Sequence, residues 1–208
     1  MAAYERDRQG VSAETVCKGL CDLDIYNSFE KGEDVGDIHV VRLLLQRLGI
    51  SASLAGRYLC RDEYDEMHAR FNILELLRAD ELILAKTAAL EYKNRYCAGS
   101  RLNKQFMTYM NARIAQLDGD SVEALYLYKK AIGYTIEDYG VAEFTCISVY
   151  EYFMLANIAR LNAVFENYME AEKLYERLLA YCHRRNSDHW TMACVYPKTV
   201  CEMLDINS

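Results

Sequence analysis

The chain has 208 residues, 52% hydrophobic and 26% charged, with a formal net charge of −7 at pH 7. This is globular composition, long enough for one medium domain or two small ones; it excludes a disordered chain, and it excludes nucleic-acid binding through bulk positive charge, so that any such site must be a local patch. A single proline, Pro197, and ten glycines argue for long uninterrupted helices and against an all-β chain of many turns. No apolar run approaches the roughly 20 residues of a membrane span, and the opening MAAYERDRQG lacks the apolar stretch of a signal peptide.

In chain order, the first 61 residues read as short helices broken by glycine. Ser12 caps a helix through Leu20. Asp22 caps the next, which stops at Gly32. Gly36-Asp37 opens IHVVRLLLQRL, closed by Gly49, and Ser51 caps a further helix to about Cys60. From Asp62 the predicted helices lengthen: 62–78, 80–96, 101–117, 120–133, 142–165, 168–185 and 188–204. Each carries apolar residues at spacings of three and four. Ala98-Gly99-Ser100, Gly119-Asp120 and Asn186-Ser187-Asp188 are the natural breaks. The fold class expected is all-α, with domains at 1–61 and 62–208.

The second part holds a weak internal repeat. Glu123-Ala124 is followed by Leu127, Tyr128 and Tyr134; Glu170-Ala171 is followed by Leu174, Tyr175 and Tyr181 at identical offsets. Glu81 with Tyr92 fits the same frame more poorly. Each repeat implies two antiparallel helices, and stacked pairs of this kind make an α-solenoid. The E-A-x-x-L-Y helix resembles the second helix of a tetratricopeptide repeat, at intervals longer than that family's usual ~34 residues.

Eight cysteines, at 17, 21, 60, 97, 146, 182, 194 and 201, lie mostly among apolar residues. A reducing cytosol with cysteine as a small core residue accounts for them better than a secreted disulfide framework. Cys17 and Cys21 sit i, i+4 on one predicted helix, but no second metal-ligand pair accompanies them, so no metal is expected.

Residues 10–50 carry a more specific signal. Val11-Ser12, Val16, Gly19-Leu20, Ile25, Phe29-Glu30-Lys31-Gly32 and Leu48-Gly49-Ile50-Ser51 stand in the order and spacing that resembles the helix-turn-helix domain of Xre-type bacterial regulators. VCKGLC and LLQRLGIS are similar to the Firmicutes members in which that domain precedes tetratricopeptide-like helices. The resemblance implies a cytoplasmic transcription regulator that pairs as a homodimer, with DNA as one partner. Tyr26, Asn27, Ser28 and Lys31 are the DNA-binding candidates on the recognition helix. It also implies a peptide or protein ligand in the solenoid groove, with Asn72, Asn111 and Asn157, on the first helices of the three repeats, as its contacts. An asparagine amide bonds a peptide's own amides without needing a particular side chain.

Two departures from the family pattern stand out. Between Met1 and Gly10 lie only the eight residues AAYERDRQ, so the family's first helix is expected to be shortened or missing. Residues 22–34 hold five acids and one lysine, and carboxylates facing phosphates oppose binding. The alternative reading is therefore a protein- or peptide-interaction module with a decayed helix-turn-helix. Paired acids such as Asp62-Glu63 open a predicted helix, where the dipole favours them. His39, His68, His183 and His189 are scattered, and no catalytic motif appears, so neither an enzyme nor a cofactor is expected. The apolar last helix, with Trp190, Met192, Val195, Tyr196, Val200, Met203 and Leu204, is read as the dimer surface or as the seat of a further repeat beyond this chain.

Overall fold

The computed structural model describes residues 1–33, 35–51, 61–141, 143–184 and 199–203. Among these residues the fold is entirely helical, without a strand: α1 (Ala2–Arg8), α2 (Ala13–Cys17), α3 (Leu23–Lys31), α4 (Ile38–Arg47), α5 (Arg61–Arg78), α6 (Leu82–Tyr96), α7 (Arg101–Leu117), α8 (Ser121–Ile132), α9 (Val149–Val164) and α10 (Tyr168–Arg184). Residues 199–203 are also helical.

The chain forms two compact units, one of Met1–Gly56 with Thr135–Ser208 and the other of Arg57–Tyr134. The second unit is a single stretch of chain set between the two parts of the first.

In the first unit, Ser12 and Asp37 cap as read from sequence, whereas Asp22 stands at the N-cap of α3 without a side-chain hydrogen bond. Ser12 accepts from the Thr15 amide at the start of α2, and Asp37 from the His39 amide at the start of α4. Gly32 ends α3 in the left-handed conformation. The N-terminal segment is a helix, α1, fixed by Arg6, which donates to both oxygens of Glu30 at 2.6 and 3.3 Å. Gln9 donates to the Leu48 carbonyl at 2.7 Å. Val16, Tyr26, Leu44, Leu45 and Leu48 are buried in this part, and Leu155, Ala159, Tyr175 and Leu178 in the α9–α10 part. Tyr152 meets Thr199 through their hydroxyls at 2.7 Å, and Tyr175 donates to Glu202 at 3.0 Å, which holds residues 199–203 in place.

Two expectations are corrected here. Helix α2 ends at Cys17, not Leu20, because Gly19 takes a φ of +75° and turns the chain. Cys17 and Cys21 therefore do not share a helix, and the Cys17 thiol is buried and donates to the Glu14 carbonyl. Helix α9 starts at Val149, not near 142. Ser148 and Glu151 form a reciprocal capping box there, which satisfies two amide donors at the helix start.

The two parts of the first unit are joined by a buried ion pair. Arg47, at the end of α4, donates to Glu151 Oε1 at 2.6 Å and Oε2 at 3.3 Å, and to the carbonyls of Val16 at 2.9 Å and Lys18 at 2.6 Å. Both side chains are 2% exposed. Burial alone would push the Glu151 carboxyl upward; the Arg47 charge and its hydrogen bonds, with the Ser148 amide and the Thr135 hydroxyl, outweigh it and hold the group below its usual range.

In the second unit each helix packs on the next. Tyr96 meets Asn103, Tyr92 meets Phe106 and Lys86 meets Asp118, so partners run in opposite directions along α6 and α7. The same holds for α7 and α8, where Tyr128 donates to Gln116 and Gln105 to the Ala131 carbonyl. Ala85, Ala89, Ala112, Ala124 and Ala131 are buried, and small residues there let neighbouring helices approach closely.

Removing one partner of a buried ion pair typically costs about 3–5 kcal/mol, and Glu151→Ala is expected to fall in that range by chemical denaturation. Arg47→Met with Glu151→Leu should recover only part of it, because the Val16 and Lys18 carbonyls still lose their donor. Since the folded pKa of Glu151 is depressed, its contribution is present above the unfolded value near ~4.3 and is lost as pH falls through the folded one. The stability of the native chain should therefore drop on acidification more steeply than that of the double variant.

A Cβ on Gly19 would lie 2.2 Å from the Thr135 carbonyl oxygen, whereas one on Gly32, at φ +82°, would meet nothing within 4 Å. Gly32→Ala should cost about 1–2 kcal/mol of backbone strain, and Gly19→Ala about 3 kcal/mol or more, since strain and clash combine. Thermal unfolding of the two variants ranks them.

Candidate functional site

Helix α3 buries one of its side chains fully. Tyr26 is 0% exposed, donates to Glu30 Oε1 at 2.8 Å, and packs its ring 5.9 Å from that of Phe29. Tyr26 is thus not a groove-facing residue; it is the anchor by which α3 is seated. The Arg6 guanidinium, hydrogen-bonded to Glu30, holds that carboxyl below the usual range. Burial pushes the Tyr26 hydroxyl well above its ordinary value, so Tyr26 stays neutral and keeps its proton as a donor.

The opposite face of α3 is open. Asp22, Leu23, Asp24, Ile25, Asn27 and Lys31 are exposed and Ser28 is half-buried. Asn27, Ser28 and Lys31 therefore share one accessible helix surface, with Asp22 and Asp24 at its N-terminal end. Asp24 in the first turn and Lys31 in the last both complement the helix dipole, which gives each a structural reason to be there.

The second accessible feature lies between α5 and α6. A cleft of about 580 Å³ is lined by Tyr64, Asp65, His68, Asn72, Tyr92 and Tyr96, with Ala69, Ala88, Glu91 and Arg95 completing its wall. Its floor is rigid. Arg70 donates to the Tyr92 hydroxyl at 2.8 Å and to Asn103 Oδ1 at 2.6 Å, and Tyr92 donates to Glu66 Oε1 at 2.8 Å. Arg70 also lies over the Phe106 ring, 4.5 Å from its centroid. Above that floor the groups are open: Tyr64, His68, Asn72, Glu91 and Arg95 are exposed.

The three asparagines fare differently. Asn72 lines the cleft. Asn111 is exposed on α7 and is not among the cleft's lining residues. Asn157, in the other unit, donates to the Phe153 carbonyl of its own helix and accepts from Arg160. The tyrosine pairs divide as core edges do: Tyr128 and Tyr152 are buried, Tyr126 is exposed and Tyr150 half-buried. Of the apolar last helix, Trp190, Met192, Val195, Tyr196 and Leu204 lie outside the described residues, while Val200 and Met203 are half-buried.

Sequence reasoning singled out Asn72 but missed the rest of the cleft. Tyr64, His68 and Asn72 repeat every four residues on α5, and Tyr92 and Tyr96 do so on α6; that recurrence of amphipathic rings was the available signal. Comparisons of the chain with protein-family models, with curated proteins and with solved structures each find no match.

Truncating a buried aromatic costs about 3–5 kcal/mol, and exposed substitutions stay within about 0.5 kcal/mol. Tyr26→Ala is expected to show the former loss and Asn27→Ala the latter when both are unfolded in urea. A loss of any ligand in Tyr26→Ala would accordingly report on the fold.

Proposed function

We propose that the chain is a cytoplasmic, homodimeric DNA-binding transcription regulator of the Xre helix-turn-helix type, whose tetratricopeptide-like helices sense a peptide or protein partner. The observation that carries this reading is α3. It is a nine-residue helix closed by Gly32 in the left-handed conformation and held by one buried tyrosine, with Asn27, Ser28 and Lys31 on its free face. A recognition helix needs that combination: a fixed inner side and an outer side open to a groove. The tight turn at Gly19 before it and the packing of α2 on both α3 and α4 support the same reading. Asn27 would contact base edges and Lys31 phosphate. The mechanism is linkage: a ligand that binds one arrangement of the dimer better shifts the spacing of two heads on DNA.

One observation favours a second reading, an interaction module whose helix-turn-helix no longer binds DNA. Asp22, Asp24 and Glu33 are exposed on or beside α3, and together they outweigh Lys31.

Fluorescence polarisation with genomic DNA fragments at low and high salt separates the two. The regulator reading expects binding that weakens steeply with salt and weakens further in Lys31→Ala. Exchanging Asp22 and Asp24 for Ser removes two repulsive charges, each worth about 0.7 kcal/mol at an exposed site. Low-salt affinity should then rise on the order of tenfold. Unchanged affinity in that variant places this helix away from the DNA, and no binding in any variant leaves the interaction module.

A further inference from the structure

The α5–α6 cleft combines the rings of Tyr64, 58% exposed, and Tyr96 with the carboxylates of Asp65 and Glu91, while the third ring of its lining, Tyr92, is buried and already has the Arg70 guanidinium 5.6 Å from its centroid. We infer that it binds an organic cation, an alkylammonium or guanidinium group. Ring faces carry negative potential and attract cations, the more so beside carboxylates. An anion would meet two carboxylates against the single guanidinium of Arg95, and that guanidinium is already engaged. It lies 3.4 Å from Asp65 Oδ2 and 5.0 Å from the centroid of the Tyr96 ring.

Arg95 thus occupies, from within the chain, the environment a ligand cation would find. Its side chain is 62% exposed, so a ligand can exchange with it while the core stays closed. Glu91 is exposed and supplies the second carboxylate. The Tyr96 hydroxyl oxygen is buried without a hydrogen-bond partner among the described residues. The network of Arg70, Glu66 and Asn103 about Tyr92 closes the cleft from below.

The inference rests on the cleft alone and does not depend on DNA binding. The cation has two possible sources, a free polyamine or the basic side chain of a peptide, and calorimetry on the full chain at pH 7.5 distinguishes them. The probes are spermidine, the blocked peptide acetyl-Gly-Arg-Gly-amide, and acetyl-Gly-Glu-Gly-amide. One or both cationic probes are expected to bind with a single site per chain, and the glutamate peptide is expected not to bind. Stronger binding of spermidine assigns the free cation, and stronger binding of the arginine peptide assigns a basic peptide. Glu91→Gln and Tyr64→Ala, both at exposed positions, should each weaken binding by about three- to tenfold. Glu137→Gln, an exposed acid that does not line the cleft, should leave it unchanged. Absence of binding by both cationic probes overturns the proposal. So does binding that Glu91→Gln and Tyr64→Ala do not move, since it would then be diffuse attraction to an acidic surface.

Discussion

A guanidinium buried at the end of α4 dictates how the first unit is assembled. A charged group taken out of water costs several kcal/mol after relaxation, so Arg47 can be buried only where nearly all of its hydrogens find acceptors. Both oxygens of Glu151 and the carbonyls of Val16 and Lys18 supply them. Glu151 in turn takes the Ser148 amide, and the Cys146 thiol donates to the Arg47 carbonyl at 3.0 Å. The end of α2, the end of α4 and the cap of α9 therefore meet at one point. A shift of any of them by one residue would strand a charge or a carbonyl, which makes the arrangement specific as well as stable.

That dependence explains the seating of α3. The helix follows the turn at Gly19, and the Gly19 backbone sits so close to Thr135 that only a hydrogen fits where a side chain would be. Arg6 and Tyr26 then converge on Glu30 from α1 and from within α3. The outer face is left to solvent, Leu23 and Ile25 included, because Tyr26 alone of the helix is buried. Exposed substitutions there are expected to change stability little, which lets acids occupy that face.

The local elements were legible in the sequence wherever a cap announced them. Ser12, Asp37, Ser100 and Asp120 each cap the helix they precede. The misplaced start of α9 was readable too: Ser148-Val-Tyr-Glu151 has the capping-box spacing, but the apolar run before it masked the signal. The first repeat was read from Glu81, whereas the buried residues of that helix are Ala85, Ala89 and Tyr92. Tyr26 misled because an amphipathic side chain suits a surface or a core equally, and only tertiary packing decides which. The Arg47–Glu151 pair had no local signature, since nothing in either segment names its partner. The cleft was hidden for the same reason: its two walls come from different helices, and only their antiparallel packing brings Tyr64 toward Tyr96.

The order in which the first unit's parts occur in the chain bears on its birth at the ribosome. Arg47 is made 104 residues before Glu151, and at roughly 5–20 residues per second that interval is about 5–20 s. During it Arg47 lacks the Glu151 carboxylate, so the buried ion pair of the first unit cannot yet form. The four helices α5 to α8, contiguous in the chain, can pack as they emerge. The portion synthesised first is accordingly the portion completed last, and it is exposed to chaperones and proteases for the whole of that delay.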